Sequence, residues 1–87
     1  MIRRTTDFGH FSNYVAHLIY NEGKIHDVIL MEKTEFTPSS WKAWKQKLIE
    51  KFSITAYDVV IDGIMRQFQA YYDKKEKQWG FNFLENV

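Results

Sequence analysis

The chain of 87 residues contains no cysteine, and its single proline is Pro38. Without cysteine, disulfide bonds, thiolate metal sites and cysteine nucleophiles are excluded. Secreted domains of this size usually need disulfides, so we expect a cytoplasmic protein, located in the host cytoplasm if it is viral. Because no linker or low-complexity tract interrupts the chain, we expect one domain over residues 1–87, with residues 1–6 as a flexible arm.

Long apolar runs are also missing. The longest purely apolar run is Val28–Met31, whereas a membrane-spanning helix needs about 20 residues. The basic residues at the start of the chain are not followed by the apolar stretch of a signal peptide. We therefore expect a soluble protein that has no contact with a membrane.

Motifs for cofactors and metals are absent from the sequence. The four glycines are isolated, so neither of the common glycine-rich phosphate-binding motifs occurs. The histidines, His10, His17 and His26, lack the spacing of a helical zinc site. We expect no metal, no cofactor and no small-molecule substrate.

Charge of one sign is scarce, whereas aromatic residues are abundant. Twelve basic and 11 acidic residues give a net charge of +1 at pH 7, which argues against a strongly basic nucleic-acid binder. Aromatic residues make up 17% of the chain. Such side chains fill small cores and also anchor protein interfaces, so composition does not separate the two uses.

One helix is predicted over residues 37–52. Thr37 suits the N-cap and Pro38 suits the first helical position. An apolar stripe with helical spacing follows, and its members are Trp41, Trp44, Leu48, Ile49 and Phe52.

A second helix is predicted over residues 55–73, where apolar residues recur with a period of about 3.6. The competing interpretation is a β-hairpin, because Asp62-Gly63 is a favoured two-residue turn. The polar residues fit the helical period better than strict alternation, and they favour the helix.

The first third of the chain allows two interpretations. In the preferred one, strands 13–20 and 24–32 form a hairpin around Asn21-Glu22-Gly23, and His17 faces Asp27. In the alternative, residues 7–21 form a helix with Gly23 as its C-cap. Near the other end, the alternation in residues 78–84 predicts a half-buried strand.

These elements predict an α+β domain with the order β-β-α-α-β. A three-stranded antiparallel sheet covered by two helices would bury each apolar stripe. If residues 7–21 are helical, the order becomes α-β-α-α-β.

Three hypotheses of function follow, and the first is a non-catalytic protein-binding module. Small, cysteine-free, aromatic-rich chains of this kind are typical of the inhibitors and adaptors of phages and mobile elements, which is an analogy of composition. The partner would be another protein or a second copy in a homodimer. The expected surface combines aromatic side chains with neighbouring lysines: Trp41, Trp44, Lys45, Lys51 and Tyr72.

The second hypothesis is a nucleic-acid-binding protein that contacts phosphates with lysines and stacks bases on aromatic residues of the last strand. The lysines lie on the first predicted helix and in a charged turn: Lys42, Lys45, Lys47, Lys51, Lys74, Lys75 and Lys77. The third hypothesis is an enzyme that uses a His17–Asp27 pair. Because no nucleophile accompanies that pair, we assign no catalytic residue and expect no enzyme.

Overall fold

The computed structural model describes residues 8–84, which form three helices and four strands of an α+β fold. In chain order the elements are α1 (Phe8–Glu22), β1 (Lys24–His26), α2 (Asp27–Lys33), α3 (Pro38–Ile54), β2 (Tyr57–Ile61), β3 (Ile64–Asp73) and β4 (Gln78–Phe83). The predicted arm, residues 1–6, lies outside the described residues.

The four strands form one curled antiparallel sheet in the order β1-β4-β3-β2. The long strands β3 and β4 lie at the centre, whereas β1 and β2 are the two edges. Helices α1 and α3 pack on β3 and β4 rather than along β2. One face of the sheet is therefore covered, and the edge formed by β2 is left without a neighbour in the described part of the chain.

The core lies between the helices and the covered face of the sheet. Its centre contains large side chains that are at most 1% exposed, among them Phe52, Phe68 and Trp79. Helix α1 contributes Val15 and Ile19, which are fully buried. The aromatic residues are thus used first to fill a small core, as their large buried area per residue favours.

The preferred hairpin of the first third of the chain is wrong, and the alternative helix is found. Gly23 has a φ of 80°, and its N–H donates to the carbonyls of Ile19 at 2.9 Å and Tyr20 at 3.3 Å. Those bonds close the C-terminus of α1, which is the usual task of a left-handed glycine after a helix. The glycine is therefore a helix cap and not part of a hairpin loop.

The strand predicted over 24–32 is reduced to the three residues of β1. This strand pairs with β4, and Ile25 lies opposite Trp79. Residues 27–33 form α2, in which Leu30 is fully buried. The run of β-branched and aliphatic residues indicated a strand, but within the seven residues of α2 only Leu30 is fully buried, and a helix is enough to place it in the core.

Helix α3 and strand β4 are where the sequence predicted them. The Thr37 side chain caps α3 by accepting a hydrogen bond from the Ser40 N–H at 3.4 Å, and Pro38 is the first helical residue. In β4, residues of one parity face the core and those of the other parity face outward, as the alternation indicated.

The helix predicted over 55–73 is wrong, because this segment is the hairpin of β2 and β3. Asp62 and Gly63 have φ of 52° and 78°, the left-handed pair of a type I′ turn, and Ile61 lies opposite Ile64. The sheet therefore has four strands and not the predicted three.

No helix within residues 8–84 combines the length and apolarity needed to cross a membrane.

Candidate protein-interaction surface

The residues predicted to form a partner surface meet at a carboxylate, the side chain of Asp27. Its Oδ1 accepts hydrogen bonds from Trp41 Nε1 and from Trp79 Nε1, both at 2.9 Å. Its Oδ2 accepts from Lys45 Nζ at 3.1 Å and forms an ion pair with it. We call these four residues the Asp27 cluster. It connects the start of α2 with α3 and β4.

The Asp27 cluster is a structural junction. The backbone N–H of Asp27 donates to the Lys77 carbonyl at 2.9 Å, which attaches the turn between β3 and β4 to α2. Trp41 is only 3% exposed. Since a side chain that is this buried offers a partner almost no surface, the role of Trp41 in the folded chain is to fill the core and satisfy Asp27.

Other predicted surface residues also have intramolecular contacts. Trp44 is half-buried and stacks on Phe8 with ring centroids 5.5 Å apart. Tyr72 is half-buried against Trp79 at 4.8 Å, and the Lys45 ammonium lies 4.9 Å from the Tyr72 ring. Lys51 is half-buried on α3. These residues therefore lie where α3 meets the core, and their half-buried side chains offer a partner little apolar surface.

The lysines of the nucleic-acid hypothesis are divided between two places. Lys42 and Lys47 are exposed on α3, and Lys47 lies over the Trp44 ring at 5.1 Å. Exposed lysines also occupy the turn between β3 and β4: Lys74, Lys75 and Lys77. In that turn the Asp73 carboxylate accepts the backbone N–H of Lys75 at 3.0 Å, so an acidic side chain lies among the basic ones.

The aromatic side chains of β4 face the helices. Trp79 is 0% exposed, and Phe81 contacts Tyr20 of α1 at 5.0 Å between ring centroids. Phe83 is half-buried and covered by the Arg66 guanidinium at 3.8 Å. A platform for stacking bases needs exposed rings, and these three rings are mainly part of the core.

The proposed His17–Asp27 pair does not form. Because residues 13–20 are helical, the hairpin register that would join the two side chains does not exist. The His17 ring lies edge-on against Phe68 at 5.5 Å, and the Asp27 oxygens bind the indoles and Lys45. Residues 8–84 also contain no group of three or more histidine and carboxylate side chains that could hold a metal ion.

The exposed apolar side chains of the β2–β3 hairpin were not identified from the sequence. Val60, Ile64 and Met65 are 62%, 65% and 62% exposed. Val60 lies opposite Met65, and Ile64 lies opposite Ile61 next to the turn. We call Val60, Ile64 and Met65 the hairpin patch. The Asp62-Gly63 signal could have located it, because a hairpin turn at that point places its flanking apolar residues at the tip of the sheet.

Within residues 8–84, no strand pairs with the outer edge of β2. The Gln67 carbonyl accepts from the Leu84 N–H at 2.9 Å, so the backbone groups of Gln67 point toward β4. Asp58, opposite Gln67, is then in a non-hydrogen-bonded pair with β3, because such pairs alternate along an antiparallel ladder. The N–H and C=O groups of Asp58 and Val60 therefore point outward from the sheet.

The other edge of the sheet is protected against further strand pairing, whereas no element in the described part of the chain covers β2. β1 has three residues, two of them the exposed polar Lys24 and His26, and α2 follows at once. Short length and charge are usual ways of preventing unwanted strand pairing. The sequence of β2, Tyr57–Ile61, has neither lysine nor proline, Asp58 is its one charged residue, and its register against β3 is continuous.

No protein family, curated protein or solved structure matches the chain in comparisons of sequence and fold.

Proposed function

We propose that the chain is a non-catalytic protein-interaction module that binds its partner through the hairpin patch and the adjoining edge of β2. The observation that carries the proposal is the exposure of Val60, Ile64 and Met65, each above three fifths. Val60 and Met65 lie opposite each other on one face of the hairpin, and Ile64 lies beside the turn on the other face. Large apolar side chains exposed close together on a small protein are characteristic of interaction sites. In regulatory terms, such a module acts as an inhibitor or adaptor by occupying the surface of another protein.

A protein partner is favoured because the hairpin exposes backbone hydrogen-bonding groups and apolar side chains next to each other. The outward N–H and C=O groups of Asp58 and Val60 can extend a sheet, which is a common way of binding protein segments. The hairpin patch lies beside those groups on the same hairpin. Main-chain bonds would supply general affinity, and the apolar side chains would supply selectivity.

A nucleic-acid partner is less well supported by the placement of the basic residues. The Lys45 ammonium is paired with Asp27 at 3.1 Å. The net charge is +1, whereas phosphate contacts that dominate affinity require a concentrated basic surface. The hairpin patch has no role in that alternative.

Site-specific photo-crosslinking tests the proposal. A photoreactive amino acid at position 65 should give discrete crosslinks to protein in the cells that naturally produce the chain. The same amino acid at position 82 provides the control, because Asn82 is exposed on the central strand β4. The captured protein is then identified, purified and titrated with the purified chain.

In that titration, Met65→Lys should weaken binding by about tenfold or more, because a buried charge in an apolar contact is costly. Asn82→Lys adds the same charge outside the hairpin patch and should bind like the wild type. The proposal is wrong if position 65 gives no crosslink beyond those of position 82, or if the two lysine variants bind equally well.

A further inference from the structure

We infer that the edge of β2 binds an extended segment of a partner protein in which an apolar residue lies between two basic ones, in the pattern basic-x-apolar-x-basic. The inference rests on the proposed function, since it names the chemistry that the same edge selects in its partner. Three properties of the edge support it: outward backbone groups, an exposed apolar side chain at its centre, and a carboxylate on either side of that side chain.

The backbone of β2 determines which side chains of a bound segment would meet the exposed ones. Ile61 lies opposite Ile64 across the two-residue turn, and in such a hairpin this closing pair is hydrogen-bonded. Because hydrogen-bonded and non-hydrogen-bonded pairs alternate, the backbone groups of Asp58 and Val60 point away from β3. A strand bound to those groups would place its residues opposite Asp58 and Val60 on the same face as these two side chains.

Val60 makes the central position of the segment apolar. Its side chain is 62% exposed, and Met65, opposite it on β3, is also 62% exposed. An apolar residue across from Val60 would complete a row of three apolar side chains over three strands and remove apolar surface from water. On the other face, the segment residue across from Ile61 would extend the row that contains Ile64, so an apolar side chain is suitable there as well.

Two carboxylates make the flanking positions basic. Asp58 and Asp62 are both exposed, and they lie two residues to either side of Val60. Strand β2 has no basic residue, and the guanidinium of Arg66 on β3 lies over the Phe83 ring at 3.8 Å. In the described part of the chain, no ion pair neutralises either carboxylate. Since opposite charges across neighbouring strands attract, lysine or arginine is favoured at both flanking positions.

The pattern is the same for both strand directions, because the two carboxylates are placed symmetrically about Val60. A parallel and an antiparallel segment would each bring basic residues to Asp58 and Asp62. The Asp58 carboxylate remains able to accept them: Gln67 Nε2 donates to its Oδ1 at 3.1 Å, which leaves Oδ2 for a basic side chain.

Short synthetic peptides test the inference on the purified chain. The lysine peptide is a blocked peptide of threonines with lysine at its second and sixth positions and valine at its fourth. The glutamate peptide has glutamate in place of both lysines, and the serine peptide has serine in place of the valine. NMR spectra of the isotope-labelled chain follow the backbone amide signals of Asp58 and Val60 during each titration.

The lysine peptide should shift the signals of Asp58 and Val60 with a dissociation constant of about 1 mM or tighter. The glutamate peptide should bind at least about tenfold more weakly, because repulsion replaces attraction at two positions. The serine peptide should also bind more weakly than the lysine peptide, because it leaves Val60 uncovered.

Removing both carboxylate charges from the chain tests the role of the flanking positions. Asp58→Asn combined with Asp62→Asn should weaken binding of the lysine peptide about fivefold and remove its preference over the glutamate peptide. Asparagine retains an oxygen acceptor for Gln67 at position 58, and before Gly63 it forms a favoured hairpin turn. We therefore expect this double variant to fold, which circular dichroism checks.

The matched control removes two negative charges from another part of the surface. Glu50→Gln on α3, combined with Glu76→Gln in the turn between β3 and β4, changes two exposed residues outside β2. This variant has the same net charge as the double asparagine variant. It should bind the lysine peptide like the wild type, so a general effect of net charge is distinguished from contacts at the edge of β2.

The outcomes separate this inference from the proposed function. Unchanged signals of Asp58 and Val60 at about 5 mM lysine peptide, or equal binding of the lysine and glutamate peptides, would overturn the inference. Shifts of the same signals on concentrating the chain without peptide would also overturn it, because a second copy would then cover the edge. If position 65 still crosslinks a different protein, the proposed function stands and only the chemistry assigned to the segment is wrong.

Discussion

At the scale of single residues, Asp27 decides how two of the three tryptophans are used. Trp41 and Trp79 are 3% and 0% exposed, and a buried indole N–H needs an acceptor. One carboxylate oxygen satisfies both, while Lys45 neutralises its charge. No local sequence pattern predicts this arrangement, because the three partners are separated by 14, 18 and 52 positions from Asp27.

We expect Asp27→Ala to lower the free energy of unfolding by about 2–4 kcal/mol, because two indole N–H groups lose their acceptor. Asp27→Asn keeps an oxygen acceptor for the indoles and loses the ion pair with Lys45, so it should cost about 1 kcal/mol. Urea denaturation followed by tryptophan fluorescence measures both. Glu50→Ala, on the exposed side of α3, is the control; a loss for Asp27→Ala no larger than for this control would contradict the role of the Asp27 cluster.

The Tyr57 hydroxyl is buried, and no described residue lies in hydrogen-bonding geometry with it. Burial raises the pKa of this phenol above 10.0, and the nearby Ser12 hydroxyl opposes the rise in part. Below pH 10.0 the phenol is neutral in both the folded and the unfolded chain. Above that pH the unfolded chain loses a proton that the folded chain retains, so this group lowers the free energy of unfolding as pH rises toward its folded pKa.

Tyr57→Phe should therefore stabilise the fold by up to about 1–2 kcal/mol at neutral pH, because it removes an unsatisfied buried hydroxyl. The advantage of the variant should grow above pH 10.0. Thermal denaturation of both proteins between neutral and alkaline pH measures the difference. An advantage that stays constant or shrinks as pH rises would show that the phenol is not shielded in the folded chain.

At the scale of elements, the β2–β3 hairpin depends on two residues in the left-handed region. Gly63 has a φ of 78°, which glycine adopts without cost, and Asp62 tolerates its φ of 52° better than most residues do. The helical period of residues 55–73 was genuine but incidental, because Tyr57, Val59, Phe68 and Ala70 also alternate correctly within the two strands. The local pattern fits both a helix and a pair of strands. The pairing of β3 with β4 decides in favour of the strands.

Gly63→Ala should lower the free energy of unfolding by about 1 kcal/mol, because alanine is strained at positive φ. A Cβ added there would meet nothing within 4 Å, so the loss reports backbone strain and not a clash. A helix over this segment would respond with the opposite sign, since alanine is favoured over glycine in a helix by about 1 kcal/mol. Thermal or urea unfolding gives the sign, and Asp62→Asn, which keeps a favoured hairpin turn, should be nearly neutral.

The C-terminus of α3 is another junction made by a distant side chain. Gln69 Nε2 of β3 donates to the carbonyls of Phe52 at 2.9 Å and Ser53 at 3.0 Å. The last carbonyls of a helix have no intrahelical partner, and here a strand supplies the donor. Helix α3 was predictable because its N-cap and apolar stripe are local in sequence. The donor to its last carbonyls, Gln69, is distant in sequence and was not predictable.

At the scale of the whole molecule, the two edges of the sheet are treated differently. β1 has three residues, two of them polar, and α2 follows it at once, whereas β2 has Asp58 as its one charged residue and no element within residues 8–84 covers its outer edge. An unprotected apolar edge is an aggregation hazard unless another strand or protein covers it. This asymmetry supports the proposed binding function, which does not follow from composition or net charge.

Features that depend on neighbouring residues or on composition could be predicted from the amino-acid sequence. The cap and stripe of α3, the alternation of β4 and the exclusion of thiol chemistry are of this kind, because each needs only adjacent positions or a count. Tertiary structure alone decided that residues 57–73 pair as strands, that Trp41 is buried against Asp27, and that the hairpin patch is exposed. The physical reason is that an apolar side chain becomes core or surface according to what packs over it, and that packing is set by parts of the chain far away in sequence.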